Sequence, residues 1–120
     1  MKIAIPIQIV KETPVMCTVF ARAGKFLIYD SETQKSEFLD NPAKTAAGGA
    51  GIVAAQTLID AHVDGVIVPQ CGENAMNVLS AAGIPVFQNV SLNIPDNLKA
   101  FHSGTLLVLM NAHAGFHSHS

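Results

Sequence analysis

A chain of 120 residues with a formal net charge of −2 and only 13% charged residues is one domain without the clustered Lys and Arg that nucleic-acid binding needs. Hydrophobic residues make up 49%, enough for a sizeable core, yet Gly, Pro, His or Asp interrupts every apolar run before it could span a membrane. The absence of Trp and the single Tyr argue against a stacking platform for bases or sugars. The opening residues lack the long apolar core and cleavage site of a secretory signal, so a cytoplasmic location is expected. Two cysteines in a reducing compartment are then expected as thiols or ligands, not as a bridge.

Residues 2–10 alternate, with Ile3, Ile5, Ile7 and Ile9 on one face, and read as a strand. Residues 11–14 are polar and turn-forming, and residues 15–24 read as an unusually apolar loop. Residues 25–30 and 35–39 read as a second and third strand joined by a hairpin turn, the third with the polar positions of a sheet edge. A Gly- and Ala-rich loop, 45–51, runs into a helix over 52–62, where Ile52, Ala55, Leu58, Ile59 and His62 follow helical spacing. The β-branched run Val66-Ile67-Val68 reads as a strand buried on both faces, stopped by Pro69. A Cys71-Gly72 turn leads into a helix over 73–82 ended by Gly83. Residues 84–87 give a fifth strand, and 95–102 a helix with Pro95 in its first turn and Gly104 after its end. The period does not separate strand from helix over 105–110. Three antiparallel strands followed by parallel helix–strand units make a five-stranded mixed α/β sheet flanked by helices.

Cys71 is expected beyond the carboxyl end of the central strand and just ahead of a helix amino end, where open α/β sheets take ligands and where a thiolate or an anion is stabilised. It reads either as a soft metal ligand or as a small buried hydrophobe. Cys17, beside Met16 in the apolar loop, carries the same two readings and is expected at the same sheet end. Two thiolates cannot complete a four-thiolate cluster site alone. Gly48, Gly49 and Gly51 form either an anion cradle at a helix start or a loop permitting close helix packing; no Gly-Lys-Ser/Thr follows, so this is not a nucleotide-phosphate loop. Gly72 completes the second turn. Arg22 either adds a fixed positive charge at that rim or makes a surface ion pair. His113, His117 and His119 are spaced so that two share a face, as a metal site for copper, nickel, zinc or iron requires, or they belong to a tail without metal. No H-E-x-x-H, G-x-S-x-G or paired-acid motif is present, and Asp30, Asp40, Asp60 and Asp64 are scattered, so an enzyme is not expected.

Several stretches carry a resemblance: the opening Lys2-Ile3-Ala4-Ile5-Pro6; Phe20-Ala21-Arg22-Ala23 followed by Phe26-Leu27-Ile28-Tyr29-Asp30; Gly48-Gly49-Ala50-Gly51; Cys71-Gly72-Glu73-Asn74-Ala75; and Ala81-Ala82-Gly83-Ile84-Pro85-Val86. In this order and spacing they resemble the dinitrogenase iron–molybdenum cofactor biosynthesis family, the small NifX-like domains also found at the end of NifB, over residues 1–104. Residues 105–120 then form an extension with a His-rich tail. The resemblance implies a ribonuclease-H-like fold without nuclease carboxylates. It also implies binding or carrying of an iron–sulfur or iron–molybdenum cluster, and a relative, the orange protein, holds a molybdenum–copper sulfide cluster. Cys17, Arg22, Gly48, Gly49, Gly51, Cys71 and Gly72 are the residues such a cargo would meet. By analogy, a cluster-assembly ATPase or another accessory protein would be the partner. Two other readings stand: a mononuclear metal-handling protein using the tail histidines, and a cofactor-free interaction or regulatory domain that forms a homodimer.

Overall fold

Alternation along the first strand organises the molecule. In β1 (Lys2–Val10) the side chains of Ile3, Ile5 and Ile7 go to one face and Ala4 to the other, and all four are fully buried. The structure, a computed structural model, describes residues 1–109. In it β1 is followed by β2 (Thr13–Met16), β3 (Lys25–Asp30), β4 (Lys35–Asp40), α1 (Ala50–Asp60), β5 (Gly65–Val68), α2 (Glu73–Ala81), β6 (Val86–Gln88), α3 (Ile94–Ser103) and β7 (Leu107–Val108). The strands form one sheet in the order β4-β3-β1-β5-β6-β7, and β2 also pairs with β1.

The mixed character expected from the sequence is present: β1, β3 and β4 are antiparallel, while β1, β5 and β6 are parallel. The strand count is not. Among the described residues the sheet has seven strands, where five were expected. The first addition is β2, whose residues Thr13 to Met16 pair with Val10 back to Ile7 in a hairpin instead of running as turn and loop. Its two turn residues, Lys11 (φ 50°) and Glu12 (φ 66°), both adopt the left-handed conformation of a two-residue hairpin turn, a conformation normally signalled by Asn or Gly. The second is β7, too short for its period to be read, which pairs antiparallel with Phe87 and Gln88 of β6.

Helices cover both faces. On one, α1 and α2 pack over Ala4, Phe26, Ile28, Val66 and Val68; on the other, Ile94, Leu98 and Phe101 of α3 pack over Ile3, Ile5, Ile7 and Ile67. Helix α1 begins two residues earlier than its spacing suggests, and its buried side is Ala50, Ala54, Ala55 and Leu58. Ile52, expected on the inward stripe, is 46% exposed. Small residues win the inner face because α1 lies close to α2: a Cβ on Gly51 would stand 3.4 Å from that of Ala75. That close approach brings the starts of the two helices together. Among the described residues no helix is long and apolar enough to cross a membrane.

Candidate functional site

Three segments distant in sequence meet where α1 and α2 begin. Val19, Phe20 and Ala21 come from the stretch after β2, Gly51 from the start of α1, and Gln70 with residues 72–75 from the connection between β5 and α2. Together they line an open cleft of about 380 Å³. The cleft lies beyond the carboxyl end of β5, as expected for a ligand site of an open α/β sheet.

Each wall is fixed by its own local chemistry. Phe20 is buried against Phe26, with ring centroids 5.4 Å apart, and anchors the 3₁₀ turn Phe20–Arg22. Asn41, fully buried, clips that turn to the next one, Pro42–Thr45. Its Nδ2 donates to the carbonyls of Ala21 (3.2 Å) and Ala23 (2.9 Å), and its Oδ1 accepts from the Ala43 N–H (3.0 Å). Arg22 ties the same two turns by donating from Nη1 to the carbonyls of Lys44 (3.4 Å) and Ala46 (3.3 Å).

The two helix starts supply the polar edge. Gly49 precedes α1 at φ 66° and Gly72 precedes α2 at φ −72°, and neither helix has a side-chain cap. The helical ladders begin with Val53 N–H to Gly49 and Met76 N–H to Gly72, so the amides just before these have no acceptor within their own helix. Two positive dipole ends therefore edge one cleft whose remaining lining is the apolar stretch 19–21 and Gln70. The only charged side chain in the lining is Glu73, in the first turn of α2.

Of the residues singled out from the sequence, Gly51 and Gly72 line the cleft; Gly48, Gly49 and Arg22 lie in the adjoining segments but outside the lining. Both cysteines lie behind it, in one apolar cluster, and form no disulfide. Cys17 is 7% exposed; its Sγ donates to the Val19 carbonyl at 3.5 Å and receives the Gln8 Nε2–H at 3.4 Å. Cys71 is 1% exposed, and burial pushes its thiol up to about 12. That is opposite to the lowering expected at a helix amino end: loss of hydration outweighs the dipole because the sulfur packs into the core instead of facing the cleft. Among the described residues no group of three or more His, Cys, Asp or Glu is placed to hold a metal ion. His113, His117 and His119 lie outside the described residues. His102 binds on the opposite face, its Nε2 2.7 Å from the Tyr29 hydroxyl, and so ties α3 to β3.

Val19, Phe20, Ala21, Gln70, Glu73, Asn74 and Ala75 line the cleft without having been singled out as site residues from the sequence. Phe20, Ala21, Glu73, Asn74 and Ala75 stand within stretches that carry the family resemblance, and the apolar loop that had to fold against something was a second signal; Gln70 left none.

A mixed α/β domain whose cleft is edged by two uncapped helix starts belongs architecturally with ligand-binding domains of open sheets. The chain is a member of the dinitrogenase iron–molybdenum cofactor family, which it matches over residues 1–104. It is similar to the apo form of the orange protein from Desulfovibrio gigas, at 28% identity and a TM-score of 0.86 over 94% of this chain and 96% of that one. It is also similar to a candidate NifB protein from Thermotoga, at 30% identity and a TM-score of 0.77 over 96% and 98%. An uncharacterized protein of Methanocaldococcus jannaschii is 30% identical over 109 residues, 88% of this chain and 89% of the relative.

Proposed function

We propose that this protein is a non-catalytic carrier or accessory protein that holds a preformed, anionic metal–sulfur cluster in the cleft. The cluster is of the iron–molybdenum, iron–sulfur or molybdenum–copper type. The observation that carries the reading is the close approach of the starts of α1 and α2, where a Cβ added to Gly51 would stand 3.4 Å from that of Ala75, which brings two helix starts without side-chain caps to one cleft. Each helix start contributes roughly 0.3–1 kcal/mol per unit of anionic charge, up to about 2 kcal/mol where partly buried. Soft sulfide surfaces suit the apolar wall formed by Val19, Phe20, Ala21 and Ala75. A volume of about 380 Å³ is in the range of small-ligand sites. Family membership ties the chain to cluster-cofactor chemistry, and neither Cys17 nor Cys71 is among the residues that line the cleft. The strand order, antiparallel on one side of β1 and parallel on the other, supports the ribonuclease-H-like arrangement that the family likeness implies.

The test is an oxygen-free titration with tetrathiomolybdate and copper(I), followed by visible absorption. Gly72→Leu is the blocking variant: Gly72 has ordinary negative φ, and nothing lies within 4 Å of its added Cβ, so a larger side chain enters open space without strain. Wild type and a Cys17→Ser/Cys71→Ala variant develop the cluster absorption, whereas Gly72→Leu does not. Absorption retained by Gly72→Leu and lost from the double cysteine variant would overturn the reading in favour of thiolate ligation.

A further inference from the structure

We propose that Glu73 sets the net charge of the cargo that the cleft accepts. The inference rests on the carrier reading and adds to it a selection rule. The two helix starts that edge the cleft are not equivalent. The first turn of α1, which reaches the cleft at Gly51, carries no acidic residue, so no carboxylate of its own offsets its positive end. The first turn of α2 carries Glu73, which is exposed and belongs to the cleft lining. A carboxylate there stabilises its own helix and at the same time offsets the positive end that an anion would use. The nearby cations do not cancel it within the lining: Arg22 points its Nη1 at the carbonyls of Lys44 and Ala46, and neither Arg22 nor Lys44 lines the cleft.

The consequence is graded by ligand charge. An anion held by the α1 amides and the apolar wall meets a fixed negative charge on the facing helix, and the penalty grows with each unit of charge the anion brings. At a separation of about 6 Å and a solvent-like dielectric, the penalty is roughly threefold in affinity per unit of ligand charge. A dianion is thereby weakened about tenfold and a trianion about thirtyfold, relative to the same cleft without the carboxylate. The cleft therefore favours clusters of low net charge and releases highly charged ones, a property suited to a carrier that must hand its load on.

The experiment compares wild type, Glu73→Gln and the control Glu12→Gln. The control removes an exposed carboxylate in the turn between β1 and β2, outside the cleft lining. The probes are tetrathiomolybdate alone, a dianion, and the trianion formed from two tetrathiomolybdates bridged by copper(I). Glu73→Gln is expected to tighten the dianion about tenfold and the trianion about thirtyfold, with both gains shrinking in 0.5 M salt as the Debye length contracts. Glu12→Gln is expected to leave both affinities unchanged. Weaker binding by Glu73→Gln would overturn the proposal and make the carboxylate a ligand instead. Equal tightening of both probes, or none, would overturn it while leaving the carrier reading in place. Failure of every variant, wild type included, to bind either probe would overturn the carrier reading and this inference with it.

Discussion

The Cys71 thiol provides a sharp test of how the core is built behind the cleft. The residue is 1% exposed and burial raises its pKa from 9.0 to about 12. That rise corresponds to roughly 4 kcal/mol against ionising in the folded state. Two measurable effects follow. At pH 8 the thiolate fraction of folded Cys71 is about a thousandfold below that of an ordinary thiol, so alkylation of a Cys17→Ser variant should be slower than that of a small free thiol by about that factor. The second effect is linkage. The native state keeps its proton above the unfolded pKa, so the stability is intact below pH 9 and is lost as pH rises toward 12. Between pH 8 and pH 10 the loss is about 1.4 kcal/mol. Urea unfolding of wild type and Cys71→Ala at both values isolates it, because the cost of the missing sulfur is common to both pH values and cancels. Wild type should lose about 1.4 kcal/mol more than the variant. Equal losses, or rapid labelling of the folded protein, would show that the sulfur faces solvent and would contradict its burial behind the cleft.

Other substitutions probe the scaffold of the cleft. Asn41→Ala strips the Ala21 and Ala23 carbonyls and the Ala43 N–H of a buried partner, and should cost about 2–3 kcal/mol in urea unfolding while loosening the cleft wall at Ala21. Gly65→Ala and Gly51→Ala should act in opposite directions in thermal unfolding. A Cβ at 65 would stand 3.0 Å from Phe87 Cε2 and 3.2 Å from Ile3 Cδ1, an overpacking that costs about 1–3 kcal/mol. A Cβ at 51 makes ordinary contact with Ala75 at 3.4 Å, and the gain in helix propensity is about 0.5–1 kcal/mol.

Much of the frame was legible because it is written in side-chain period. The alternating isoleucines from Ile3 and the β-branched run Val66-Ile67-Val68 place the central strands, and proline or glycine marks the ends of α3 as observed, with Gly104 at φ 71° after its last turn. Strand β2 was hidden because Lys11 and Glu12 hold left-handed angles without the residues that normally announce them. The inward face of α1 was misassigned because alanines, not Ile52, satisfy its close approach to α2. The convergence of the post-β2 stretch, the glycine loop and the Cys71 turn was legible as a shared sheet end. Its lining was less so: neither cysteine lines the cleft, while Gln70, Glu73 and Asn74, which no motif for chemistry singled out, do.

Backbone amide NMR of the ¹⁵N-labelled protein, titrated without oxygen with tetrathiomolybdate and copper(I), locates the cargo most directly. The expected result is that the largest shifts fall on Val19 to Ala21, on Gly51 and on residues 72–75, the three segments that line the cleft, and that they persist when both cysteines are replaced. Shifts confined to residues 113–119, or shifts that vanish with the two thiols, would contradict it.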